Sequence, residues 1–259
     1  MSANNDTIGK TITVTVLLCV ICSVVVSAAA VLLKPQQVAN KELDRKSNIL
    51  AAAGIDYQGK DVSELFDSQI TTKYVDLRSG KYTAEVPAKY DARKAAKDPQ
   101  QGVSLSKEMD IASIKYQAKI MPVYLVQQGE SVDKVILPVH GYGLWSTLYG
   151  FLALEGDLNT VVGLGFYSHA ETPGLGGEVD NPSWKALWPG KKVYQEGSVE
   201  PAIGLIKGSV DPAVPGAEHQ IDGLSGATLT SVGVTNLVQF WMGKNGYAPF
   251  LANLKAGGA

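Results

Sequence analysis

Between Lys10 and Lys34 the chain runs for 23 residues without a charged side chain, and Val, Leu, Ile and Ala dominate the run. At ~1.5 Å per residue, a helix over 11–33 reaches about 35 Å, more than the ~30 Å hydrocarbon core of a bilayer. The segment reads as a transmembrane anchor for everything that follows. A cleaved secretory signal is the alternative, because Ser27-Ala28-Ala29-Ala30 offers small residues for a cleavage site. One lysine set against Asp6 makes a weak leader for such a signal. The far flank carries Lys34, Lys41, Arg45 and Lys46, the near flank only Lys10. Taken by itself, the positive-inside rule puts the large domain in the cytoplasm.

Cys19 and Cys22 are the only cysteines of the 259-residue chain, and both lie in this run. A disulfide scaffold, a zinc ribbon and a cysteine-ligated Fe–S cluster are thereby excluded from the remainder. A C-x-x-C pair can be redox-active. In an apolar helix with no His or acid nearby, two small apolar side chains are the simpler reading. The formal net charge of −2 offers no basic excess for a phosphate backbone, which argues against a nucleic-acid partner.

Beyond the anchor the pattern mixes helices and strands. Residues 38–53 read as a helix that restarts after a break at Pro35 and stops at Gly54. Residues 61–68 form a short helix candidate. Strands are expected over 71–77 and 82–86 around the turn 78–80, and the polar stretch 90–106 reads as a mobile loop. From about residue 115 the strand signals tighten: 120–127, 134–139, 145–154, 160–167 and 202–207. Asn181 and Pro182 are placed to cap and open a helix over 182–188. A last helix is expected over 228–244, with Val234, Leu237, Val238 and Trp241 on one face. The expected class is α+β: one N-terminal transmembrane helix plus a globular domain with a mixed or antiparallel sheet and flanking helices.

Three segments have the composition of a binding site. Asp222-Gly223-Leu224-Ser225-Gly226-Ala227-Thr228-Leu229-Thr230-Ser231 leads into the last helix, with hydroxyls at Ser225, Thr228, Thr230 and Ser231. Small residues admit a ligand close to the backbone, and the N–H groups of a helix start favour a phosphate. The plainer reading is a turn with a Ser/Thr cap. The spacing matches neither a P-loop nor a nucleophile elbow. His169-Ala170-Glu171-Thr172-Pro173-Gly174-Leu175-Gly176-Gly177-Glu178 reads as a loop moulded to something flat or phosphorylated. His169 and Glu171 could ligate a metal in principle, but no two of the three histidines have metal-binding spacing. In Pro138-Val139-His140-Gly141-Tyr142-Gly143-Leu144-Trp145, aromatics could stack on a ring system; a hairpin turn with a core tryptophan is the alternative.

Together these segments resemble the C subunit of the Na⁺-translocating NADH:quinone oxidoreductase of bacterial membranes. The resemblance covers nearly the whole chain and rests on the membrane run, on GYGLWSTLYGF (141–151), on the run 169–188 with ETPGLGGEVDNPSWKALW, and on DGLSGAT (222–228). It implies an FMN joined to Thr228 by a phosphoester, with Asp222, Ser225, Gly226 and Ala227 forming the recognised turn. It further implies that Thr172 and Leu175 line the flavin, and that Trp145, Glu171 and Lys207 are candidates to touch it. The implied division is an anchor (1–34), a membrane-proximal segment (35–110) and an FMN-binding domain (111–259). The implied role is electron relay from NADH towards ubiquinone inside a sodium-pumping complex. Its partners would be the other subunits, the membrane, and a flavin transferase that attaches the cofactor. The implied location is the bacterial inner membrane with the domain in the periplasm, against the charge count above; the resemblance is followed. Two alternatives remain at this point: a flavoprotein like the G subunit of the related Rnf complex, or a non-redox membrane-tethered scaffold.

Overall fold

A computed structural model describes residues 7–87, 90–129 and 131–259. The first six residues of the expected anchor therefore lie outside the described residues. The chain divides into two compact units at the boundary between Asp44 and Arg45.

The first unit is the greater part of helix α1, Ile8–Ala52. It is long and apolar enough to cross a membrane, and none of its most apolar stretch is buried within the protein. Pro35 lies inside α1, which runs on without the expected break. A proline removes one N–H and crowds one carbonyl, at a cost of ~3 kcal/mol. Long helical flanks on both sides of Pro35 carry the helix through.

The second unit opens with the last turns of α1. Next come α2 (Val62–Gln69) and β1 (Thr71–Asp76), followed by β2 (Lys81–Tyr82) and α3 (Ala92–Ala95). The short strands β3 (Gly102–Ser104) and β4 (Tyr116–Ala118) lead to β5 (Ile120–Gln128), β6 (Ser131–Tyr142), β7 (Thr147–Glu155) and β8 (Val161–Ser168). After them come α4 (Pro182–Lys185), β9 (Gly204–Ile206), β10 (Gln220–Asp222), α5 (Thr228–Met242) and α6 (Ala248–Lys255). Six strands form one antiparallel sheet in the order β2-β1-β5-β6-β7-β8. β9 and β10 pair in parallel beside it. The α+β class expected from the sequence is what the chain adopts.

Strand alternation sends side chains to two cores. Val135, Leu137, Val139, Leu152 and Leu154 join Leu237, Trp241 and Phe250 on one face. Ile136, Phe151, Ala153 and Tyr124 join Ile49 and Leu50 of α1 and Phe66 of α2 on the other. Buried on both faces, the central strands read as continuous apolar runs, which is why they are visible in the sequence.

Several expectations need correction. The second strand of the first hairpin is two residues long rather than spanning 82–86. The stretch 90–106 is structured. Asp91 caps α3 by accepting from Arg93 N and Lys94 N, and a Cβ on Gly102 would stand 2.2 Å from the Ala96 carbonyl oxygen. The Arg93 guanidinium lies 3.6 Å from the centre of the Tyr149 ring and donates to the Tyr167 hydroxyl at 2.7 Å. Capping and cation–π contacts hold this segment, and neither leaves a hydrophobic period to read. Strands β4 and β10 and helix α6 are additions to the elements expected from the pattern.

Trp241 is fully buried and donates from Nε1 to the His140 carbonyl oxygen at 2.6 Å. Burial pushes the His140 imidazole beside it down to about 4, with Arg93 adding to the effect, so it packs as a neutral ring. Trp241→Ala is expected to cost about 3–5 kcal/mol, read as a lower denaturant midpoint for the detergent-solubilised chain.

Candidate functional site

The β6–β7 hairpin turns at one end of the sheet, where Tyr142 pairs with Thr147. β8 finishes at the same end, Ser168 opposite Tyr149. α5 begins there too: a Cβ on Gly233 would stand 2.5 Å from the Tyr142 carbonyl oxygen. The three segments singled out by composition therefore converge.

Glu171 joins them. The residue is 5% exposed. Oε1 accepts from the backbone N–H groups of Leu144 at 3.2 Å, Trp145 at 3.0 Å and Ser146 at 3.2 Å. Oε2 accepts from Leu144 N at 3.3 Å and from the Thr230 hydroxyl of α5 at 2.8 Å. A Cβ on Gly143 would stand 2.7 Å from Oε1, and one on Gly176 would stand 2.6 Å from Thr230 Oγ1 and 2.7 Å from Oε2. Those glycines are there to admit a carboxylate. Gly174, at φ +74°, serves the turn itself. Burial alone would push the Glu171 carboxyl up. The bonds from Thr230, Trp145, Ser146 and Leu144 outweigh it and hold the group below the usual carboxylate range. Both Glu171 oxygens accept from protein donors, which ties the β6–β7 turn to α5.

The turn before α5 has its own lock. Ser231 Oγ accepts from Leu224 N at 3.0 Å and donates to the Ala227 carbonyl at 3.1 Å. Asp222 Oδ1 accepts from Val210 N at 2.8 Å, which pins the neighbouring loop. Gly226 takes φ +71°, open to glycine at little cost, and its α-carbon faces Leu175. The cap residue of α5 is Ala227, with no side-chain bond to the helix, so the expected Ser/Thr cap is absent. A helix start without a side-chain cap leaves its first N–H groups for another acceptor.

Thr228 is the first residue of α5 and is exposed, as are Ser225 and Gly226; Ala227 is buried. Three apolar side chains of these segments are exposed, Trp145 (65% exposed), Leu175 and Leu229, and Leu175 stands against Gly226, two residues before Thr228. Trp145 is thus a surface ring and not the core residue of the alternative reading. Thr172 is exposed, and its carbonyl accepts from Leu175 N and Gly177 N, which shapes the loop. Lys207 is exposed just past β9; the Gly208 carbonyl next to it accepts from Gly223 N at 3.0 Å, so Lys207 flanks the turn.

Thr230 and Ser231 stand out in the sequence as hydroxyls of the first segment, but not as inward-facing locks of the site; Ser146, whose hydroxyl accepts from Ala170 N at 2.7 Å, is not singled out there. The phase of α5 held the signal: 230, 231, 234, 237, 238 and 241 face inward, while 228, 229 and 232 face outward. A separate cavity of about 740 Å³ is lined by Asp157, Lys192 and Glu196 with α6 residues. It lies past the Glu155 end of β7, the end opposite the hairpin turn, and shares no residue with the site.

An FMN-binding domain family matches residues 143–243, which take in the 169–178 and 222–231 segments whole and the glycine–aromatic segment from Gly143 on. The chain is 56% identical over 261 residues to the C subunit of the Na(+)-translocating NADH-quinone reductase of Pseudomonas aeruginosa, covering 99% of this chain and all of that one. It is 52% identical over 256 residues to the protein of the same name from Vibrio vulnificus, covering 99% of both. The crystal structure of Shewanella oneidensis NqrC superposes with a TM-score of 0.77 at 34% identity, covering 84% of this chain and 99% of that one.

Glu171→Gln removes the charge and turns a donor towards N–H groups. It is expected to cost about 1.5–3 kcal/mol of unfolding free energy at neutral pH. A carboxyl held below its unfolded value of about 4.3 contributes fully above that value and loses its contribution as pH falls through the folded one. The wild-type chain should therefore lose stability more steeply on acidification than Glu171→Gln, measured by denaturant unfolding at a series of pH values.

Proposed function

The chain belongs to the family of the C subunits of the Na(+)-translocating NADH-quinone reductases, and from that membership and the site we propose that Thr228 carries FMN through a phosphoester. The protein is a membrane-anchored flavoprotein subunit of that oxidoreductase. Relatives match from end to end, which does not favour the Rnf-like or scaffold alternatives.

The observation that carries the reading is the exposed hydroxyl of Thr228 at an α5 start that no side chain caps. The residues present fit FMN. A phosphoester at Thr228 leaves a negative charge beside open helix N–H groups, and Trp145, Leu175 and Leu229 offer apolar surface for a flat ring. Bound FMN supplies the redox chemistry, taking up and passing on electrons. The chain's part is to place it. Ala227 and Leu224 bury the turn's inner side, Gly226 lets Leu175 close on it, and Glu171 fixes the Trp145 loop to the helix that bears Thr228. Asp222 holds the turn from behind, and Lys207 lies on its flank, where an ammonium can meet phosphate or a flavin carbonyl. No side chain here has to act as acid or base.

The other subunits of the complex are the redox partners, and a flavin transferase supplies the FMN. Placement in the inner membrane with the domain in the periplasm belongs to the same proposal. α1 serves as the single span.

Thr228→Ala, an exposed change, is expected to alter stability by no more than about 0.5 kcal/mol. It should abolish flavin fluorescence of the denatured band after co-expression with an active flavin transferase, and with it quinone-reductase turnover of the assembled complex. Retained fluorescence in the variant would refute the phosphoester assignment.

A further inference from the structure

His169 lies two residues before Glu171, and both its ring nitrogens are engaged. Nε2 is 2.8 Å from Asp180 Oδ2, and Nδ1 accepts the backbone N–H of Glu171 at 3.2 Å. The two contacts define one tautomer: Nε2 carries the proton and gives it to the carboxylate, while Nδ1 keeps its lone pair. The side chain is 12% exposed and Asp180 is half-exposed. Lys185 Nζ stands 3.6 Å from the other Asp180 oxygen. Among the described residues, the charged groups tied to the ring are Asp180, Lys185 acting through it, and Glu171 through its backbone N–H. β8, on whose end the histidine follows, adds only Tyr167, whose hydroxyl accepts from Arg93.

A second proton can enter the ring at Nδ1 alone, since Nε2 already holds one. It would then face the N–H of Glu171, donor against donor, and the 3.2 Å contact could not persist. The backbone released is that of the residue whose carboxylate holds Leu144, Trp145 and Ser146 to Thr230. We propose that His169, oriented by Asp180, is a positioning residue for electron transfer at the flavin: neutral, it holds the Glu171 clamp through Nδ1, and protonation at Nδ1 lets the clamp go. The proton comes from solvent, no heavy-atom bond changes, and the N–H of Glu171 is left to water. The flavin readout of this proposal rests on FMN at Thr228; the histidine contact itself does not.

The test uses the full flavinylated chain in detergent, taken through a pH titration. Two signals are followed in the same samples: the visible spectrum and midpoint potential of the flavin, and the amide proton resonance of Glu171. The variants are His169→Asn, whose Oδ1 can accept where Nδ1 does but cannot titrate, and His169→Gln, which lacks an acceptor there. In the wild type both signals should pass through one shared inflection, over and above the slope of the flavin's own proton uptake. His169→Asn should keep the high-pH amide position and flavin spectrum throughout, and His169→Gln the low-pH ones. An unchanged Glu171 amide across the range in the wild type, or an inflection that survives in His169→Asn, would overturn the role of His169. An amide inflection with a silent flavin would overturn the link from clamp to flavin. Failure of Thr228 to carry flavin would be plain beforehand, from a colourless denatured chain.

Discussion

One buried carboxylate holds the site together. Glu171 accepts from three consecutive backbone N–H groups of the β6–β7 turn and from Thr230 of α5, and the loop after β8 carries it. Hydrogen bonds to a charged acceptor are about twice as strong as neutral ones. A buried anion without them would be costly, so the group and its donors depend on each other. Three segments far apart in sequence are fixed by that dependence, and two glycines are constrained by it, because a Cβ at Gly143 or Gly176 would occupy the carboxylate's space.

The fold makes this meeting possible. A six-stranded antiparallel sheet with a core on each face fixes the ends of β6, β7 and β8 at one rim, and α5 lies across one face with its first turn at that rim. The outward phase of α5 then exposes Thr228 while its inward phase buries Thr230 and Ser231. One helix thus presents a hydroxyl for a cofactor and, two residues on, anchors the wall beside it. Trp145 is exposed, yet its backbone is among the most firmly held in the site.

Much of this was legible in the sequence. The charge-free run, the central strands and the last helix came from hydrophobic patterning, and Asn181 and Pro182 stand where capping chemistry puts them. The three segments were identified from glycines and hydroxyls, and the family from their residue-by-residue wording. The jobs of individual residues were not legible. The sequence singles out Glu171 but does not tell which donors its carboxylate finds across the fold. The glycines of the 169–178 loop read as space for a ligand, whereas Gly176 makes space for Glu171 and Thr230. The stretch 90–106 read as a loop because Asp91 capping and Arg93 stacking have no period. Pro35 read as a break because local propensity was weighed without the length of helix on either side.

A double-mutant cycle between Glu171 and Thr230 tests most directly whether the carboxylate joins the wall to the flavin-bearing helix. Unfolding free energies of the wild type, Glu171→Gln, Thr230→Val and the double variant would be measured above pH 6. The account expects a coupling energy of about 0.5–3 kcal/mol, the range for partners in one hydrogen-bonded network. A coupling within about 0.5 kcal/mol of zero, the range for independent sites, would contradict it.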